Sequence, residues 1–138
     1  MPSSKQLLKR PLLPVAGPAD AESTYDALVA HSDPADCRPL VIHVLADGDA
    51  DETQRATAAF DRVESRAAAD GMAVGTELVS GKPIAETIIQ TADERDASAI
   101  VFCSRGGSAW FDLLAGGVRT SLLVKSDTPV VMLPVDEA

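Results

Sequence analysis

The sequence predicts an α/β fold built on a parallel sheet. Three observations carry that reading. Strand-length apolar runs alternate with helix-period segments from end to end, and two of the runs, Leu40–Leu45 and Ala99–Cys103, are apolar at nearly every position. No internal repeat, low-complexity tract or long linker divides the chain. Alternation of this kind makes βαβ units with right-handed crossovers, and continuously apolar strands are those a sheet buries on both faces. With 138 residues the chain has the length of one domain and can bury a core. We expect residues 1–10 to form an N-terminal extension and 11–138 a single domain.

The elements follow in order. Leu12–Ala16 reads as a short first strand, stopped at Gly17-Pro18. Ala21, Tyr25, Leu28 and Val29 fall at helical spacing and predict a helix to about His31. Pro34 and Pro39 punctuate the loop before Leu40–Leu45, whose core VIHVL is rich in β-branched residues. An acidic loop, Asp47–Glu52, opens a long helix with one stripe of Ala56, Ala59, Phe60, Val63 and Ala67. Asp49 and Asp51 suit the positive end of its dipole, and Gly71 suits its C-terminal stop. Met72–Val79 is the third strand; its apolar residues alternate with polar ones, as on an edge. Pro83 belongs in the first turn of a third helix, with Ile84, Ile88, Ile89 and Ala92 as the buried face. Ala99–Cys103 is the fourth strand. A glycine-bearing loop, a helix over about 117–125 and a last strand, Pro129–Val135, complete the order.

Composition narrows the function classes. The apolar share is 46% but the aromatic share only 4%, so the core is built from Ala, Val, Leu and Ile. No apolar run approaches the ~18 residues of a membrane span, and the apolar stretch near the N-terminus is short and Pro-interrupted, unlike a signal peptide. These features point to a cytoplasmic protein. A formal net charge of −9 disfavours nonspecific binding to nucleic acid or anionic membranes. Asp exceeds Glu and Lys is scarce, a balance similar to that of halophilic proteomes, where salt of about 1 M shortens the Debye length to about 3 Å.

Residues Cys103 to Val135 hold the most informative spacing, Cys103-x2-Gly106-x9-Gly116-Gly117. It resembles the C-terminal nucleotide-binding signature of the universal stress protein (UspA) family, G-x2-G-x9-G-[ST]. The likeness spans nearly the whole chain. Leu12-Leu13-Pro14-Val15 looks like that family's opening strand, Ile42-His43-Val44 like its second, and SGKPIAETIIQTADERDASAIVF like its third-helix module. The resemblance implies a three-layer sandwich of the adenine-nucleotide α-hydrolase type, with a five-stranded parallel sheet of order 3-2-1-4-5. It also implies a homodimer through the last strand.

In such a sheet the ligand crevice lies beyond the carboxyl ends of the strands, where the order reverses. That places it between Ala16-Gly17 and Ser104–Gly107, facing the helix start at Gly116, Gly117 and Val118. Backbone N–H groups at that start can hold a phosphate. Gly106 and Gly116 match the signature, whereas Cys103 replaces its first glycine and Gly117 its closing hydroxyl residue. Ala16 stands where nucleotide-binding relatives carry Asp. Arg105 occupies a place often held by His and offers a phosphate clamp. Hydrogen bonds to charged groups are worth roughly 1.5–3 kcal/mol each, so two losses weaken a micromolar site to about millimolar. Trp110 and Phe111 in the same loop read as packing or subunit-contact residues.

Other motifs carry less. Asp47-x-Asp49-x-Asp51 lacks the Gly and Glu that an EF-hand needs. Ser80-Gly81-Lys82 lacks the upstream glycine and the following hydroxyl of a P-loop. His43, inside an apolar strand, reads as a hydrogen-bonded core histidine, and His31 as a helix-end residue. Neither belongs to a metal-ligand cluster. Cys37 and Cys103 fall at opposite ends of the sheet, which opposes a disulfide. No nucleophile–base–orienter set is present, so no catalytic residue and no metal site is assigned.

The sequence thus reads as a non-catalytic UspA-like dimer acting in stress response or regulation, through an unidentified protein partner and with nucleotide binding weakened or lost. The alternative is an ATP- or AMP-responsive switch, with Arg105, Gly106, Gly116, Gly117 and Val118 as the cofactor-binding residues. An enzyme ranks last.

Overall fold

In a computed structural model of the chain, describing residues 7–45, 49–81, 83–103 and 126–134, five strands form one all-parallel sheet. They are β1 (Pro11–Pro14), β2 (Leu40–Leu45), β3 (Gly75–Ser80), β4 (Ala99–Cys103) and β5 (Val130–Leu133). The order is β3-β2-β1-β4-β5, as the family resemblance implies. Three described helices connect them: α1 (Pro18–Ala30), α2 (Ala50–Asp70) and α3 (Ile84–Glu94). The expected helix over about 117–125 lies outside the described residues.

Side-chain alternation along the strands builds two cores. Leu13, Val41, Val101 and Cys103 point to one face and pack with Tyr25 and Leu28 of α1 and Val63 of α2. Leu12, Ile42, Ile100 and Phe102 point to the other and pack with Ala85, Ile88 and Ala92 of α3. The central strands are therefore apolar on both sides, which is why their sequences show no polar alternation. Central β1 tolerates two prolines because they fall at its first and last positions.

α1 and α2 lie side by side on one face and are joined by charge. Arg66 reaches Glu22 at 2.5 Å and Asp26 at 3.0 Å, and Arg62 also pairs with Glu22. Beneath them the buried Tyr25 donates its hydroxyl to Asp70 at 2.8 Å.

Several details differ from the sequence expectation: β1 runs Pro11–Pro14 rather than Leu12–Ala16, and β5 covers Val130–Leu133 of the expected Pro129–Val135. β3 begins at Gly75 rather than Met72, because the end of α2 captures Met72. Gly71 takes the left-handed conformation (φ 72°), and the N–H groups of Gly71 and Met72 both return to the carbonyl of Ala67. Pro83 caps α3 from outside its first turn. The buried face of α3 is rotated: Ala85, Thr87, Ile88, Thr91 and Ala92 are buried, while Ile84 and Ile89 are half-buried. Thr87 and Thr91 enter the core because their hydroxyls donate to the carbonyls of Pro83 (2.9 Å) and Thr87 (2.8 Å).

β3 and β5 are the sheet edges, and Met132 of β5 is 44% exposed. Residues before β1 are tied to the sheet. The carbonyl of Lys9 accepts the Arg38 N–H at 2.8 Å, and Arg10 exchanges hydrogen bonds with Ser98.

Candidate functional site

The strand order reverses at β1, which has β2 on one side and β4 on the other. The crevice beyond the carboxyl ends of β1 and β4 is the place where such sheets take ligands. Its described walls are the turn from β1 into α1, the end of β2 with the start of α2, and Cys103 at the end of β4.

The turn is built by Gly17, Pro18 and Asp20. Pro18 occupies the first helical position, where its missing N–H costs nothing. Asp20, three residues beyond the N-cap, turns its carboxylate back into the turn. Its Oδ1 accepts the N–H of Gly17 at 2.7 Å and its Oδ2 that of Ala16 at 2.8 Å. Asp20 is 4% exposed. Burial pushes its carboxyl above the ordinary aspartate range, against the pull of those backbone bonds and of His43.

His43 joins the turn from the second strand. Its Nδ1 lies 2.8 Å from the carbonyl oxygen of Val15. A carbonyl only accepts, so Nδ1 carries the proton. Nε2 makes no hydrogen bond among the described residues and lies 3.5 Å from Oε1 of Glu52 in the first turn of α2. At the carboxyl end of the sheet the buried Asp20 and His43 thus lie near the half-buried Glu52.

The described part of the acidic loop, from Asp49, caps α2. Asp49 is the N-cap, accepting the Glu52 N–H at 2.7 Å, and no group of three potential metal ligands occurs among the described residues. Gly81 packs so closely on Thr87 that a Cβ there would meet Oγ1 at 2.5 Å, so the turn into α3 requires glycine. His31 Nδ1 bonds the Ala27 carbonyl at 2.8 Å, at the end of α1. Cys37 and Cys103 are both buried and are not disulfide-bonded to each other, and desolvation pushes the Cys37 thiol up.

The structure thus brings Ala16 and Gly17 to the crevice, as the sequence predicts, with Cys103 at the end of β4. Arg105, Gly106, Gly116, Gly117 and Val118 lie outside the described residues, as do Ser104, Trp110 and Phe111. Asp20 was not among the sequence candidates. Its signal is an acidic residue at the third helical position after a Gly-Pro start, half of a capping box.

A family model described as the universal stress protein family matches residues 9–134. Solved structures agree. A universal stress protein family member from Burkholderia pseudomallei superposes with a TM-score of 0.71 at 23% identity, over 97% of this chain and 100% of that one. The Archaeoglobus fulgidus universal stress protein in complex with dAMP gives 0.70 at 22% identity, over 90% and 96%. A universal stress protein in complex with cAMP gives 0.63 at 17%, over 93% and 98%. Comparison with curated proteins gives no match.

Proposed function

Since the chain belongs to the universal stress protein family, we propose that it is a non-catalytic, dimeric stress-response module of the cytoplasm in which nucleotide binding is weakened or lost. One observation carries this reading. The carboxylate of Asp20 already occupies the N–H groups of Ala16 and Gly17, and Ala16 presents only a methyl group where the resemblance implies an Asp in nucleotide-binding relatives. A nucleotide entering the crevice finds the N–H groups of Ala16 and Gly17 already engaged and no polar side chain at position 16. Glu52, beside His43, adds negative charge near the same end, unfavourable to phosphates.

Dimerisation is proposed through β5, an edge strand that invites pairing. The non-catalytic reading rests on the sequence, which offers no nucleophile–base–orienter set. The second reading, an ATP- or AMP-responsive switch using Arg105 and the backbone at Gly106, Gly116, Gly117 and Val118, is favoured by the relatives solved with dAMP and cAMP.

Restoring two of the three departures tests the cause. Ala16→Asp with Gly117→Ser is expected to create ATP binding in a parent that purifies without nucleotide. Nucleotide released from the freshly purified parent would favour the switch instead.

A further inference from the structure

At the opposite end of the sheet, among several surface carboxylates, one groove is lined mainly by cations. Lys9, Arg10, Arg38 and Arg95, four of the chain's 12 lysines and arginines, line one open groove of about 1120 Å³. Parallel topology assembles it, because the segments entering β1, β2, β3 and β4 all arrive at the amino ends of the strands. Between the cations lie the half-buried Leu40, Val74 and Ala97, and Asp36 is the only carboxylate lining the groove among the described residues.

The cations are not equivalent. Arg95 is held by Glu77, at 2.5 Å and 3.1 Å, and its carbonyl accepts from Arg10 at 3.2 Å. Lys9 and Arg38 are exposed and make no ion pair among the described residues. The hydrogen bond from the Arg38 N–H to the Lys9 carbonyl fixes their backbones side by side at the groove wall. With Arg10, whose guanidinium bonds only the Arg95 carbonyl among the described residues, three unneutralised cations in a chain of net charge −9 mark a concavity that concentrates anions.

We propose that this groove docks an acidic peptide segment of a partner protein, anchored by apolar side chains between the cations and by carboxylates on Lys9 and Arg38. The groove exceeds the roughly 300–1,000 Å³ typical of small-ligand pockets, and its mixed lining suits a peptide better than a free anion. The net charge opposes a long polyanion such as nucleic acid. Within one subunit, the acidic start of α2 lies at the far end of the sheet, and residues 1–6 contain Lys5 but no carboxylate.

The test uses the full chain and fluorescence anisotropy. The probe is a labelled peptide with Asp-Glu pairs flanking two leucines, and a Ser-Gln version is the control. The acidic peptide is expected to bind saturably at low salt, more weakly at about 0.15 M as screening sets in, and the control not at all. Lys9→Glu with Arg38→Glu is expected to weaken binding roughly tenfold, as reversal of two exposed charges implies. Lys9→Gln with Arg38→Gln gives a smaller loss and serves if the reversal impairs folding. No binding at low salt, or equal binding by all variants, would overturn the proposal. So would tighter binding of a single-stranded oligonucleotide to the same residues, or loss of self-association in the variants, which would assign the groove to a second copy. ATP titration reports on the other end of the sheet, so this proposal and the one above fail separately.

Discussion

Asp20 Oδ1 accepts the backbone N–H of Gly17 at 2.7 Å, closing the turn between β1 and α1 from inside. Together with the bond from Ala16, it satisfies two donors that a ligand at this crevice could otherwise use. The contact is therefore both a fold determinant and a limit on the site.

Asp20→Asn keeps one acceptor oxygen but turns an NH2 group toward a backbone N–H. One buried donor then goes unmet, at a cost of about 1–3 kcal/mol, and Asp20→Ala costs more. Urea unfolding monitored by circular dichroism measures this; an unchanged midpoint for Asp20→Asn would remove the contact from the account.

Gly71 ends α2 at φ 72°, with no atom within 4 Å of where a Cβ would sit. Gly71→Ala therefore meets no steric clash and isolates the backbone term, a loss of about 1–2 kcal/mol. Gly71→Asn is expected to lose less. A thermal melt in which Ala and Gly are equal would contradict the left-handed cap.

Acid stability should follow the surface ion pairs. Arg66, with Arg62, holds the Glu22 carboxyl below the ordinary glutamate range, and Arg95 does the same for Glu77. A carboxyl depressed in the folded state contributes stability above its unfolded value, near 4.5, and loses it as pH falls through the folded value. Asp20 has the opposite sign. Its raised value favours the folded state when protonated, a contribution lost as pH rises. Melting temperatures across the acid range are expected to fall toward low pH, and less steeply in Arg66→Gln. An identical slope in that variant would sink the assignment.

The proposed β5 interface centres on Met132, an exposed apolar residue on an edge strand. Met132→Lys places a charge where two edges would meet. Sedimentation velocity is expected to show a dimer for the parent and a monomer for the variant. A monomeric parent would remove the interface.

The succession of strands and helices was legible in the sequence because periodicity and the apolar strands encode burial directly, whereas the strand order came from the family resemblance. All five residues of the α2 stripe are buried, and β2 and β4 begin and end where expected. The misplacements arise where hydrogen bonds override hydropathy. Met72 is taken by a helix cap, and Thr87 and Thr91 join Ile88 on the buried face by bonding to their own helix, leaving Ile84 and Ile89 half-buried at its margin. Asp20 escaped notice for the same reason: an acidic residue near a helix start reads as solvated until its two backbone partners are seen. His43 matches its expectation through Val15, yet its free-standing Nε2 beside Glu52 depends on α2 approaching β2, a tertiary relation with no local pattern.

Calorimetric titration of the purified protein with ATP and Mg2+, at low and at high salt, tests the central claim most directly. With Ala16 offering no polar anchor and Asp20 occupying the turn donors, the expected result is no binding at micromolar concentrations in either condition. A micromolar Kd would contradict the account and establish the crevice as a working nucleotide site.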